Sequence, residues 1–150
     1  MALILLSIAS NVFYLHDHCY TGYTMNKREL LNYAKDFYEE DQLLELDHAI
    51  EYAKKAHAGQ KRKSGEPYII HPLAVAYTLV DWGMDIDSVI AGVLHDTVED
   101  TDATIEEIEA HFGHDVAFLV EGVTKVSQAR AGMKDLENYL PATKDNLTKL

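Results

Sequence analysis

Apolar residues recur at the spacing of an α-helix along most of the chain after Met25. A stripe at positions 43, 46, 50 and 53 predicts a helix over about residues 41–57 with one buried face. Three more helices are predicted from the apolar faces Leu73, Ala76, Leu79 and Val80; Ile86, Val89, Ile90, Val93 and Leu94; and Val116, Leu119, Val120 and Val123. Strand patterns are nearly absent, and the one short candidate covers residues 67–70. The pattern therefore predicts an all-α fold.

Residues typical of helix ends separate these segments. Pro72 suits the first helical position after a turn-rich loop, and Gly83 suits the end of that same helix. Thr104 and Glu107 have the spacing of a capping box, which predicts a short helix ending before Gly113. The remaining candidates are Asp85 or Asp87 as the cap of the helix that contains Val89, and Asp115 as the cap of the helix after Gly113.

The first 24 residues differ in pattern from the rest of the chain. Residues 2–15 are largely apolar, but the run is too short for a membrane span and polar residues interrupt it. A signal peptide needs a basic start, and no Lys or Arg precedes Lys27. Two interpretations of residues 1–24 remain open, an upstream in-frame extension with Met25 as the natural start or an N-terminal tail. The domain itself is expected over residues 25–150.

The composition fits one packed domain, because 47% of the 150 residues are hydrophobic. Lys and Arg number 13 against 25 Asp and Glu, so the net charge is −12. Such an acidic chain is a poor candidate for direct binding to DNA. The single cysteine, Cys19, excludes an internal disulfide and a cysteine-rich zinc site. A reducing, cytoplasmic location and no association with a membrane are therefore expected.

The candidate chemistry centres on the pair His95-Asp96, which ends the most apolar of the predicted helices. Glu99 and Asp100 follow, and on a continuous helix residues four apart share a face, which would place both acids beside the pair. Carboxylates at the end of a central helix are costly unless they are paired, hydrogen-bonded or bound to a metal. A histidine beside an aspartate suits a divalent ion such as manganese. The alternative is a structural histidine beside a solvated acidic helix end.

His71 and a basic loop are the other candidates. His71 directly precedes a proline at a rigid helix entry, where its position is well defined, although a capping or surface role is the alternative. Arg62 lies in the only run of three basic residues, which together with Ser64-Gly65 suits the binding of phosphate. The alternative for this loop is solvation. His57 lies on a buried stripe near a helix end and is expected to be structural.

Three stretches carry a resemblance to a known family. AHAGQKRKSGEPYIIHPLAVA, AGVLHDTVEDTDATIEEIEAHFG and LVEGVTK closely resemble the hydrolase domain of the RelA/SpoT homologue family, whose members make and degrade the alarmone (p)ppGpp. The match covers about residues 43–125, and the helix after Met25 fits the start of the same domain. The resemblance implies a helical bundle of the HD-domain type. The SGEPY and GVTK segments resemble the long, multidomain members more than the small alarmone hydrolases.

The resemblance also implies roles for individual residues. Three of the four manganese ligands would be His71, His95 and Asp96; the catalytic acidic pair would be Glu99 and Asp100; the loop that holds the guanine nucleotide would contain Arg62, Lys63 and Ser64. The fourth ligand of the family lies in a segment resembling DRLHNM, and residues 1–150 contain no such segment. The last residues, ATKDNLTKL, resemble the helix that precedes it. The chain is therefore expected to be a fragment with an HD domain that is incomplete at its C-terminal end.

The implied function is manganese-dependent hydrolysis of (p)ppGpp at the 3′-pyrophosphate, which yields GDP or GTP and pyrophosphate in the stringent response. Magnesium would accompany the nucleotide, and ribosome or tRNA contacts would involve only regions that lie outside these residues. Two alternatives remain open. One is an HD-type phosphohydrolase of other nucleotides, and the other is a non-catalytic binding or regulatory domain or an inert truncated product.

Overall fold

The computed structural model describes residues 26–139, in which seven helices and no strand occur. The helices are α1 (Lys27–Ala34), α2 (Glu40–Ala56), α3 (Ile70–Asp81), α4 (Ile86–Leu94), α5 (Thr97–Asp100), α6 (Ile105–Phe112) and α7 (His114–Tyr139). The strand candidate at residues 67–70 is not a strand: Pro67 forms an isolated antiparallel bridge with Lys61, the next two residues form a turn, and Ile70 begins α3. The all-α fold class is confirmed. The predictions for residues 1–24 and for the closing ATKDNLTKL segment lie outside the described residues.

The predicted helix ends are largely where the capping residues placed them. The side chain of Thr104 accepts the N–H of Glu107 at 3.2 Å, and the Glu107 carboxylate accepts the Thr104 N–H at 3.1 Å, so the capping box of α6 is present. Of the two candidate caps for α4, Asp85 is the one used, and its carboxylate accepts the N–H of Ser88 at 3.1 Å. The prediction of Asp115 as the cap of α7 is wrong, because the helix already begins at His114 and Asp115 lies within its first turn.

Helix α3 begins two residues earlier than its proline predicted. The N–H of His71 donates to Tyr68 O at 3.1 Å, so the chain is already winding before Pro72 and the helix starts at Ile70. His71 therefore lies inside the first turn rather than ahead of it. At the other end Gly83 adopts φ 66°, the left-handed conformation that closes the helix with least steric cost, as predicted.

The core is organised around α4. Its residues from Ile86 onward are buried apart from Asp87, and it packs against α2, α3 and α7. A Cβ built on Gly92 would lie 2.4 Å from Leu79 Cδ1 and 3.3 Å from Val75 Cγ1. A larger residue at this position would require the buried side chain of Leu79 to shift. The C-terminal end of α4 thus reaches His95 from a tightly packed and fixed base.

Among the described residues, no helix combines the length and the apolar character that a membrane crossing requires.

Candidate metal centre

Three of the predicted ligands converge. His71 comes from the first turn of α3, while His95 and Asp96 follow the end of α4. His95 Nε2 lies 3.0 Å from Asp96 Oδ1, and His71 Nε2 lies 3.5 Å from Asp96 Oδ2. One ligand atom from each residue lies within 4.8 Å of the other two. The packing of α3 against α4 therefore brings together side chains that are 24 or more positions apart in sequence.

The continuous helix expected through Asp100 is interrupted at the pair itself. Helix α4 ends at Leu94, His95 and Asp96 form a turn, and the four-residue α5 begins at Thr97. The backbone of Asp96 nevertheless accepts the N–H of Asp100 at 2.9 Å, so the spacing of four still brings these two residues onto one side. The interruption turns both ligand residues toward His71 while the rest of α4 stays in the core.

His95 is oriented by the helix that precedes it. Its Nδ1–H donates to the carbonyl oxygen of Gly92 at 2.7 Å, which leaves Nε2 directed toward Asp96. The imidazole is 5% exposed. Burial would lower the pKa of His95, but the hydrogen bond with Asp96 and its negative charge raise that pKa overall. A histidine that donates through Nδ1 to a backbone carbonyl presents Nε2 in the manner of a metal ligand.

Asp96 remains ionised although it is largely buried. Burial would raise the pKa of Asp96, but hydrogen bonds from His95 and Tyr68 and the charges of His95 and His71 lower it overall. The phenol of Tyr68 donates to Asp96 Oδ2 at 2.7 Å. Burial and then the charge of Asp96 raise the pKa of Tyr68, so the phenol keeps its hydrogen. The site thus holds a negative charge beside two imidazoles.

The donor set fits a divalent cation. Two imidazole nitrogens and one carboxylate oxygen, with no thiolate, suit a hard or borderline divalent ion. A cation bound at this site would stabilise the largely buried carboxylate of Asp96, because burying a charge without a partner is costly. The three residues could therefore hold a metal ion, with coordination positions left for water or a substrate.

The two acids of the predicted catalytic pair are on different sides of α5. Asp100 Oδ2 accepts the Tyr68 hydroxyl at 2.9 Å, so this carboxylate lies next to the ligand Asp96. Glu99 Oε1 instead accepts the hydroxyl of Ser127 on α7 at 3.1 Å. The group of close ligand atoms contains neither acid. Asp100 therefore lies beside the candidate metal centre, whereas Glu99 contacts α7 and adds only a minor contribution to the raised pKa of His95.

The loop that is predicted to bind the nucleotide lies next to this centre. Its two ends are joined by the Tyr68 N–H to Gln60 O bond at 3.1 Å, and Gln60 Nε2 donates to Asp100 O at 2.8 Å. Within the loop, the Arg62 N–H donates to Glu66 O at 2.9 Å. The outer residues are exposed: Lys63, Ser64 and Gly65. The loop is thus a tight hairpin that is anchored at the metal centre and presents basic groups outside it.

The sequence prediction missed three residues that the structure places around the site. Tyr68 and Gln60 contact the Asp96–Asp100 side, and Ser127 contacts Glu99. The sequence carried one usable signal: a tyrosine three residues ahead of His71 has an amphipathic side chain that can reach a polar site when its ring is buried. Ser127 carried no such signal, because one serine in a helix is ordinary.

One protein family and several known proteins are similar in sequence to this chain. Residues 49–150 match the HD domain family. A guanosine-3′,5′-bis(diphosphate) 3′-pyrophosphohydrolase of Aquifex aeolicus is 56% identical over 95 residues, which are 63% of this chain and 14% of that protein. The bifunctional (p)ppGpp synthase/hydrolase SpoT of Escherichia coli is 48% identical over 91 residues, or 61% of this chain and 13% of the relative. A GTP pyrophosphokinase of Streptomyces coelicolor is 48% identical over 94 residues, or 63% and 11%. The chain thus spans 11–14% of the length of these relatives.

Proposed function

We propose that this chain, which belongs to the HD domain family and has the RelA/SpoT enzymes among its relatives, takes part in the hydrolysis of (p)ppGpp at the 3′-pyrophosphate. The products are GDP from ppGpp or GTP from pppGpp, each with pyrophosphate. The observation that carries the proposal is the convergence of His71, His95 and Asp96, three residues that the motifs singled out. Two relatives that contain this domain are named for that hydrolysis.

Manganese is the ion we propose for the centre, with magnesium accompanying the nucleotide. A divalent ion supplies Lewis acidity there, which lowers the pKa of a coordinated water toward neutrality. The chain's own residues prepare the site for it. Gly92 O fixes the ring of His95, and Tyr68 fixes the carboxylate of Asp96. His71, from the first turn of α3, is the third proposed ligand of the described residues.

Glu99 and Asp100 are the proposed acid–base groups. Hydrolysis forms a bond from a water oxygen to the 3′-linked phosphorus and breaks the bond to the ribose 3′ oxygen, so a proton leaves the water and one reaches the leaving oxygen. Asp100 would orient the water or accept its proton, a role supported by its hydrogen bond with Tyr68 next to Asp96. Glu99 is an alternative carrier of the proton, or a ligand to a second cation.

Arg62, Lys63 and Ser64 are proposed to hold the phosphates and the guanine nucleotide. The net charge of −12 repels an anionic nucleotide over long range, so a local basic group is required. The hairpin that carries these residues is anchored through Gln60 at the Asp100 backbone. Substrate phosphates bound by the loop would thus lie beside the metal centre. We further propose a cytoplasmic location, a nucleotide as the partner, and no direct contact with DNA or a membrane.

The proposal is tested with two proteins, the 150-residue chain and an extended chimera that continues it with the segment that follows the matched region in the Aquifex relative. Each is incubated with Mn²⁺ and ppGpp, and GDP and pyrophosphate are quantified. We expect Mn²⁺-dependent release of both products by the chimera, lost in the His95→Ala and Asp96→Ala variants. Removal of a ligand should weaken Mn²⁺ binding at least as much as loss of a residue that orients a ligand, which costs ~10–100-fold.

The same assay separates the alternatives. A chimera that hydrolyses deoxynucleoside triphosphates but not ppGpp would identify a different HD-type phosphohydrolase. A chimera that binds Mn²⁺ and ppGpp without turnover would identify a binding or regulatory domain. Normal turnover in both His95→Ala and Asp96→Ala would contradict the assignment of the metal centre. Melting temperatures of all variants are measured so that a loss of folding is not mistaken for a loss of ligands.

A further inference from the structure

Tyr68 connects two carboxylates that the proposed reaction uses differently. Its hydroxyl lies 2.7 Å from Asp96 Oδ2 and 2.9 Å from Asp100 Oδ2. A phenol carries one hydrogen, so it donates to one carboxylate at a time while the other remains within reach of the same oxygen. Two like charges next to each other repel, and a shared donor offsets that repulsion. The hydroxyl therefore holds a metal-ligand carboxylate and an acid–base carboxylate side by side.

The ring of Tyr68 is itself held in place. The imidazole of His57 stacks on it with ring centroids 4.5 Å apart and planes 20° from parallel. His57 is 3% exposed, and its Nδ1–H donates to Gln60 Oε1 at 2.8 Å. The amide nitrogen of Gln60 then donates to the backbone oxygen of Asp100 at 2.8 Å. These contacts give His57 a structural role, in which its ring supports the ring of Tyr68.

His57, Gln60 and Tyr68 each contact the other two. Gln60 donates to the backbone oxygen of Asp100, and the hydroxyl of Tyr68 contacts the side chains of Asp96 and Asp100. With its proton on Nδ1, the His57 ring presents only an acceptor at its buried Nε2 atom, which has no hydrogen-bond partner. The ring therefore contacts Tyr68 by stacking and Gln60 by a hydrogen bond.

We propose that Tyr68 is a positioning residue of the metal centre, which fixes the Asp96 ligand relative to Asp100 and is itself held by His57 and Gln60. The inference rests on the proposed function. Hydrogen bonds to ligating carboxylates orient them, and their loss commonly costs ~10–100-fold in metal affinity or activity. Tyr68 touches neither substrate nor ion in this role, and its effect passes through Asp96 and Asp100.

The test is Tyr68→Phe, which keeps the ring for stacking on His57 and removes only the hydroxyl. Tyr33→Phe is the matched control, because Tyr33 also donates to an aspartate, Asp81 Oδ1 at 2.8 Å, but on α1 and away from the metal ligands. Mn²⁺ binding to the 150-residue chain is followed by electron paramagnetic resonance of the free ion, with thermal melting in parallel. We expect Mn²⁺ affinity to fall ~10–100-fold in Tyr68→Phe. Tyr33→Phe should bind as the unmodified chain does, and the two variants should melt at similar temperatures without metal.

The outcomes separate this inference from the function on which it rests. If neither the 150-residue chain nor the extended chimera binds more Mn²⁺ than its own His95→Ala variant does, the metal centre is wrong and the inference is wrong with it. If the unmodified chain binds Mn²⁺ and Tyr68→Phe binds it within twofold as tightly, the function stands and the positioning role is wrong. A Tyr68→Phe variant that loses melting temperature and affinity together, while Tyr33→Phe loses neither, shows a general structural role and also overturns the inference.

Discussion

At the scale of single residues, the chemistry depends on how His95 and Asp96 change each other's protonation. Burial lowers the pKa of His95 and raises the pKa of Asp96. In each case the contact between the two groups outweighs the effect of burial on the pKa. Their hydrogen bond and opposite charges thus raise the pKa of His95 and lower the pKa of Asp96. Protons and the cation compete for the same nitrogen.

This competition predicts a pH-dependent stabilisation by manganese. Because the pKa of His95 is raised above 6.5, the imidazole still holds its proton where an ordinary histidine has lost it. Without metal, the contribution of His95 to stability is fully present below pH 6.5 and is lost as the pH rises through its raised pKa. Stabilisation by Mn²⁺ runs the opposite way, since only the unprotonated ring binds it. The increase in melting temperature that Mn²⁺ causes should be larger at about pH 8 than at about pH 6.

The control for this titration is His95→Ala, in which Mn²⁺ should cause little stabilisation at either pH. An equal Mn²⁺ effect at both pH values in the unmodified chain would show that protonation of His95 does not limit metal binding.

Arg62 provides a second prediction, which separates substrate binding from metal binding. Arg62→Ala in the extended chimera should raise KM for ppGpp about tenfold, since a charge-assisted hydrogen bond contributes about 1.5–3 kcal/mol. Mn²⁺ affinity should be unchanged, because Arg62 is not among the ligand residues. Arg28→Ala on the exposed face of α1 is the matched control. An equal loss of Mn²⁺ affinity in Arg62→Ala would show that the loop supports the metal centre structurally instead.

At the scale of helices, the site depends on how closely α3 and α4 approach each other. His71 is carried by α3, and the pair His95-Asp96 by the end of α4, so their distance is set by the packing around Gly92. The carbonyl of the same glycine accepts the His95 ring. One residue therefore controls both the spacing of the helices and the orientation of a ligand.

Gly92→Ala should destabilise the domain by roughly 1–2 kcal/mol, since overpacking the core outweighs the higher helix propensity of alanine. The new Cβ would meet Leu79, which is fully buried. Gly132→Ala is the matched control on α7, because nothing lies within 4 Å of its built Cβ. It should stabilise the helix by about 0.5–1 kcal/mol. Chemical denaturation of the two variants measures both free energies of unfolding, and a neutral Gly92→Ala would show that the core relaxes around the methyl group.

At the scale of the whole molecule, the proposed ligand set extends beyond the described residues. The described residues contain three residues that could hold a metal ion, and the resemblance implies a fourth ligand in a DRLHNM-like segment that residues 1–150 do not contain. The relatives are far longer than this chain, as the 14% share of the Aquifex protein shows. A cation held by three protein ligands would fill its remaining positions with water.

The extended chimera should therefore bind Mn²⁺ about 10–100-fold more tightly than the 150-residue chain and turn over ppGpp faster. Calorimetric titration with Mn²⁺ and a ppGpp assay on both proteins provide the comparison. If the short chain equals the chimera in both measurements, three ligands are enough or the fourth comes from residues 1–150. Glu99→Gln then tests Glu99 as that fourth ligand, although the structure pairs it with Ser127.

The sequence by itself determined the features that depend on local spacing. The helix faces, the capping box at Thr104 and Glu107 and the stop at Gly83 were predictable, because each involves residues within a few positions of one another. The ligand types at His71, His95 and Asp96 were readable for the same reason, since the motifs that contain them are contiguous.

Only the tertiary structure decided how these motifs meet. The break between α4 and α5 at His95-Asp96 replaced the expected continuous helix, because the pair turns toward His71 from α3 while α4 remains packed in the core. Tyr68 bridges Asp96 and Asp100 across 28 and 32 positions of sequence. Helical periodicity carries no information at such separations, since it describes the face of one element. The spacing between elements is set by side-chain packing. At Gly92 the side chain of Leu79 occupies the space that a Cβ would need.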